Sequence, residues 1–415
     1  MPTRRRLLTA CGLAVVPLAG CGTADEDAAT PTAEVTPVEV PDDGDAHAPR
    51  ETASWDHTHV LELTNAGVRD LRALGTDGGA EAGLLVTAGD GVYRLEPGGT
   101  GTRWSVAFGE RVATMRPTIG DGTAFLRTDT DRGTRLHAIV LEDGNTRWTR
   151  AWDAAVDVFG GDEDRLFLHR SGRAGAGGSS HELLVVSTAD GSTLASTGTG
   201  NPIDSVVEPS GPVISERDVI TAFDRQGNER WRVDAEVGWN SLASDGLLVY
   251  HYGPSGPLVA RRGDGDDVWQ VERRVRRLLA TDHLYLADGS GNFLSLSRGG
   301  DLRWQSGTGE PTVEPASGRV LVHGGMPGAE HLDARSTADG ELRWRFVPQR
   351  SPLRVYDDRD GVAIVTAGRH LGLHAHVSRP VASEPLEGSV GGGLVADGRA
   401  YAGTSEGRIF VFERG

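Results

Sequence analysis

Five times along this chain a glycine is followed four residues later by a tryptophan: Gly144–Trp148, Gly227–Trp231, Gly265–Trp269, Gly300–Trp304 and Gly340–Trp344. The repeat recurs about every 40 residues, the period of a propeller blade or a repeat array. Its clearest copy runs from Leu284 to Trp304. There Leu284/Leu286 and Leu294/Leu296 alternate with other residues on either side of a Gly-rich turn. That is the period-2 pattern of a half-buried strand. A second turn, Gly299-Gly300-Asp301, leads into Trp304. The unit is therefore strand, turn, strand, turn, strand.

Weaker copies fill the gaps. Gly101-Thr-Arg-Trp104 is shortened, Gly191-Ser-Thr-Leu-Ala195 keeps the turn without the indole, and the unit near Ser383-Glu-Pro-Leu386 is degenerate. The strand before each turn is found nine times, from Val92–Leu95 to Ile409–Phe412. One small antiparallel sheet cannot cover both of its own faces. Sheets packed face to face in a ring cover one another, and an indole fills the wedge between them. Each indole buries ~150–250 Å², worth several kcal/mol gross at ~25 cal/mol/Å².

These Gly-x-x-x-Trp turns and Asp-Gly hairpins resemble the quinoprotein-type, or PQQ-like, β-propeller family over roughly residues 55 to 415. The resemblance implies an all-β, closed propeller of four-stranded blades. Eight blades are expected from the family, although nine hairpins are counted. The chain ends on a hairpin with no tryptophan strand behind it. The segment Trp55 to Leu63 reads as a lone outer strand with its own tryptophan. Joined, the two complete the last blade and remove the open edges. Trp55, Trp104, Trp148, Trp231, Trp269, Trp304 and Trp344 are thus read as structural residues of the repeat.

The front end reads as an address. Arg4, Arg5 and Arg6 form a basic region, with Leu7 to Leu18 apolar and too short to span a bilayer as a mature helix. Leu18-Ala19-Gly20-Cys21 resembles a lipobox, and Thr3 to Leu8 resembles a twin-arginine signal. Residues 1–21 are read as a lipoprotein signal with Cys21 lipidated, and 22–54 as an acidic, Pro- and Thr-rich tether. Cys11 and Cys21 are the only cysteines, so the processed domain holds no disulfide.

The formal net charge is −17. The front contributes +3, residues 22–55 hold nine acids against Arg50, and −12 remains for residues 56–415. Such a surface disfavours nucleic acid. Every basic residue is Arg, which fits either Arg-favouring codon usage or adaptation to salt.

The family's dehydrogenases place a quinone between a tryptophan and an adjacent-cysteine disulfide; with no cysteine beyond Cys21 that arrangement is impossible here, and no quinone is expected. His370, His374 and His376 are the best metal candidates, with His57 and His59 a weaker pair. Glu272-Arg273-Arg274-Val275-Arg276-Arg277 is the one dense positive cluster of the domain, either a solvated strand edge or a contact for an acidic partner or lipid head groups. The expected function is a lipid-anchored, monomeric, non-catalytic binding or scaffolding module at the cell envelope, with envelope or secreted proteins as partners. The alternative is a small quinoprotein dehydrogenase or another propeller enzyme.

Overall fold

The computed structural model describes residues 55–63, 66–74, 83–113, 117–172, 180–238, 241–312, 315, 318–325, 330–348, 353–359, 362–367, 370–374 and 381–415; of His59, Asp357, Asp358, Arg359 and Val362 it describes the backbone alone. The described residues form nine antiparallel sheets and no helix.

Blade 1 opens on Val68–Leu74 and ends on Thr102–Ala107. Blade 2 runs from Arg111–Val112 to Thr146–Trp152, blade 3 from Ala155–Gly161 to Thr193–Thr199, and blade 4 from Asp204–Glu208 to Glu229–Asp234. Blade 5 runs from Leu242–Ser244 to Asp267–Val271, blade 6 from Val275–Ala280 to Leu302–Thr308, and blade 7 from Glu310–Pro311 to Leu342–Phe346. Blade 8 runs from Leu353–Arg359 to Ala382–Pro385. Blade 9 contains Val390–Ala396, Arg399–Thr404 and Arg408–Arg414, and its outermost strand is Trp55–Glu62. All have four strands except blade 2, where Thr118–Gly120 adds a fifth. The count is nine where eight were expected: every hairpin in the sequence builds its own sheet.

Each interface between consecutive blades holds its own apolar cluster. Leu84 and Val86 pack toward blade 9, while Leu85 between them packs toward blade 2. Likewise Leu284 and Leu286 face blade 5, and Tyr285 faces blade 7. The inner strands are therefore buried on both faces, where alternation had suggested burial on one. The missing cover is supplied by the neighbouring blade. Blade 9 packs against blade 1 through Tyr401, Ile409 and Val411, which closes the ring.

The closing strand pairs antiparallel with Arg408–Arg414, from Trp55 opposite Arg414 to Glu62 opposite Arg408, with a bulge between His57 and His59. His57 lies between Phe410 and Phe412 and places Nδ1 3.0 Å from Oε1 of Glu384 in blade 8. Trp55 is buried toward blade 8. The other six repeat indoles face forward, onto the following blade.

The glycine and the tryptophan of one repeat do not serve each other. Five of these indoles lie on the turn glycine of the next blade: a Cβ added to Gly144, Gly191, Gly265, Gly300 or Gly340 would fall 2.5–2.8 Å from Trp104, Trp148, Trp231, Trp269 or Trp304. The same indoles donate Nε1–H to a carbonyl of that next turn, those of Leu141, Thr188, Gly263, Arg298 and Thr337, at 2.7–3.1 Å. Arg230 and Arg303, each just before its tryptophan, share the carbonyls of Gly263 and Thr337 with the indoles. Between blades 3 and 4 the indole is replaced by Ala195, and Thr197 Oγ1 donates to Gly227 O at 2.7 Å instead.

Gly340→Val tests this stacking, because Gly340 has φ +76° and its added Cβ would meet Trp304 at 2.5 Å. Backbone strain and overpacking together should cost about 2–4 kcal/mol. Gly246→Ala, at φ +81° with open space around it, should cost only about 1–2 kcal/mol. Equal denaturation midpoints for the two variants would contradict the stacking role.

Candidate functional site: a charge-balanced wall around the ring axis

The first strands of successive blades contact one another at most of the seams, so they face the ring axis. Seven arginines and seven carboxylates lie on these strands, a neutral wall in an acidic domain. Several of its carboxylates are used internally. Asp70 is bound by Arg72, and Asp157 by Arg127. Asp204 accepts the Leu242 N–H at 2.9 Å; burial nonetheless pushes its carboxyl up. Burial also pushes up Glu208, which is hydrogen-bonded by Ser244.

The Arg run seen in the sequence divides here. Arg273 pairs with Asp288 at 3.0 Å. Asp288 also accepts the N–H groups of Ser290 and Asn292 and the Asn292 side chain. Burial pushes the Asp288 carboxyl up, but these hydrogen bonds and Arg273 outweigh it and hold it below the usual range. Val275 is buried against blade 5. A bulge between Val275 and Arg277 then breaks the alternation and leaves both Arg276 and Arg277 exposed.

Blade 8 repeats this bulge, between Val355 and Asp357. Between the two bulged strands lies a cavity of about 220 Å³, lined among others by Arg277, Glu310, Thr312, His323, Arg354 and Tyr356. Tyr356 donates its hydroxyl to Val390 O at 3.0 Å and Thr312 donates to Leu321 O at 3.1 Å, so both are oriented by backbone. The Nε2 of His323 is buried without a hydrogen-bond partner. Arg354, Thr312 and Tyr356 were not singled out in the sequence. They carry no local sequence signal, because Arg354 and Tyr356 come from blade 8 and Thr312 from blade 7, and only the packing of the blades brings them together.

The histidine candidates are distributed differently. His370 is exposed at the start of its strand, whereas His374 is buried at 1% exposure, with Phe346 4.3 Å and Trp344 6.1 Å from its ring. Four residues of strand separate the two by roughly 13 Å. His376 lies outside the described residues. Burial, and then the charge of Arg319, lowers the His374 pKa to about 4. Among the described residues no three His, Cys, Asp or Glu side chains are grouped to hold a metal, and no cysteine is present. Those described residues thus do not supply the donor set of a quinone and its metal. Arg4, Arg5, Arg6, Leu18, Ala19, Gly20 and Cys21 also lie outside the described residues.

One buried carboxylate is structural. Asp333 of blade 7, 0% exposed, is held by Arg335 at 2.7 Å and Arg345 at 2.6 Å. Two guanidinium groups satisfy it, so it offers nothing to a ligand.

The family model described as outer membrane protein assembly factor BamB matches residues 52–222 and 215–414. Among solved structures, BamB from Moraxella catarrhalis superposes with a TM-score of 0.50 at 16% identity, over 86% of this chain and 99% of that one. The computationally designed Ika8 protein gives 0.51 at 12% identity, over 74% and 97%. Sqt1 of Saccharomyces cerevisiae gives 0.50 at 11% identity, over 87% and 100%. At these identities the likeness is one of fold. No curated protein matches the chain. With the family match spanning the whole ring, and seven of its nine blades carrying the recurring indole, this chain belongs to the outer membrane protein assembly factor BamB family of PQQ-like β-propellers.

Proposed function

We propose that the protein is an exported, lipid-anchored propeller that binds and organises other proteins at the cell envelope, without catalysing a reaction. The observation that carries this reading is the family match over residues 52–414 behind a lipobox-like Leu18-Ala19-Gly20-Cys21. Two acyl chains on Cys21 would anchor it stably, where one would be marginal. The tether 22–54, with its like charges and prolines, would hold the ring away from the membrane surface. A rigid disc on a spacer suits simultaneous contact with several partners, and the ring itself acts as a monomer.

The test is a pull-down from crosslinked membranes, with mass spectrometry of what is recovered. Envelope proteins should be enriched with the wild type. Cys21→Ser should leave the protein in the soluble fraction and lose that enrichment. A Cys21→Ser protein that still sediments with membranes would overturn the anchor, and recovery of no protein above background would overturn the scaffold.

A further inference from the structure

We propose that the cavity between blades 6 and 8 on the axis-facing wall is a binding site for an oxyanion group, a carboxylate or phosphate carried on a short stem. The proposal rests on the binding-module reading and gives that module its ligand chemistry.

Charge placement carries it. In a domain of net charge −12, many arginines are paired with carboxylates, as in Arg127–Asp157, Arg225–Asp162, Arg298–Asp245 and Arg345–Asp333. Arg277 and Arg354 are instead turned to one shared cavity. Both are exposed, both line the same cavity, and neither makes an ion pair with a described residue. They arrive from two different blades, with blade 7 between them. Each lies beside a strand bulge that takes the chain out of strict alternation.

Glu310 is the one carboxylate among the lining residues, so the cavity keeps an excess positive charge. Guanidinium groups are suited to planar, bidentate recognition of carboxylate and phosphate. Pro311, Val355 and Tyr356 add apolar surface, which fits a stem behind the charged head. A volume of about 220 Å³ admits one such group with a few attached carbons and excludes a folded element. Such a group comes from a small free acid or from an acidic side chain or terminus of a polypeptide.

Isothermal titration of the purified full-length protein at constant ionic strength separates these sources. The probes are inorganic phosphate, succinate and a short peptide rich in Asp and Glu. At least one should bind saturably. The double variant R277Q/R354Q should weaken it at least tenfold without shifting the ligand-free melting temperature, while R262Q, at an exposed arginine outside the cavity, should leave it unchanged. Binding of phosphate or succinate identifies a free acid, and binding of the peptide alone identifies a polypeptide source. The proposal is overturned if no probe saturates, or if the double variant binds as the wild type does. The pull-down stands apart: partners recovered equally with R277Q/R354Q would leave the scaffold intact and remove the cavity from it.

Discussion

A protein lacking residues 1–63 should melt on the order of 10 °C lower than one lacking only residues 1–54. The longer deletion takes away the outer strand of blade 9, whose pairing runs from Trp55 opposite Arg414 to Glu62 opposite Arg408. It also removes the Trp55 indole, 5% exposed, from the cluster with Leu371, Leu386 and Phe412. Burial of that indole alone is worth roughly 4–6 kcal/mol gross. The strand left behind would show a row of unpaired backbone groups and the half-buried Phe410, a template for pairing with a second chain. Lower melting should therefore come with concentration-dependent association, and a synthetic peptide of residues 55–63 should reverse both. Identical melting of the two deletions, with both monomeric, would show that the ring does not depend on this closure.

Acidification should destabilise the protein through its buried histidines, at higher pH than that at which its turn aspartates protonate. Burial is the main cause that lowers four histidines to about 4: His137, His169, His251 and His374. Nearby positive charge adds to it, from Arg135, His181, Arg261 and Arg319 respectively. All four sit on inner strands, and His251 accepts a hydrogen bond from Arg261 Nε at 2.9 Å, which requires the neutral ring. Because the folded values lie below the unfolded value of about 6.5, the unfolded chain binds more protons between those limits, and stability falls as pH drops from about 6.5 toward 4. By pH 5 each histidine should cost about 1–2 kcal/mol, a large part of a typical domain's stability when four act together.

The turn aspartates act in a lower window. The backbone N–H of Ser192 holds Asp190 below the usual carboxylate range, and that of Glu341 does the same for Asp339. Their contribution is complete above the ordinary carboxylate pKa and is lost only as pH falls through the depressed folded values. Guanidinium unfolding at pH 7.5, 6 and 5 checks the assignment. The midpoint should drop steeply between pH 6 and 5. His251→Gln, which keeps an acceptor for Arg261 and cannot be protonated, should flatten that drop. A midpoint constant from pH 7.5 to 5 would rule out the histidines as the cause.

Much of the fold is legible in the chain because the repeat is local. Gly300 and Trp304 lie four residues apart, in a turn and the strand it leads into, and the alternation of Leu284, Leu286, Leu294 and Leu296 needs no distant partner to be seen. Nine hairpins are equally visible, and the closing role of Trp55–Glu62 follows from the blade that ends without an outer strand. Family habit pointed to eight blades; the chain's own hairpins make nine, since each apolar pair must be covered by another sheet.

Tertiary structure alone decided which residues serve each other. The glycine of one repeat meets the tryptophan of the preceding one, because blades pack in sequence and the indole reaches across the seam. His370 and His374 look adjacent in sequence, yet an extended strand moves one to the surface and buries the other against Phe346. Arg277 and Arg354 look unrelated, yet curvature of the ring brings the first strands of blades 6 and 8 to one cavity. Local periodicity specifies a strand and its faces; the angle at which nine sheets close specifies what those faces meet.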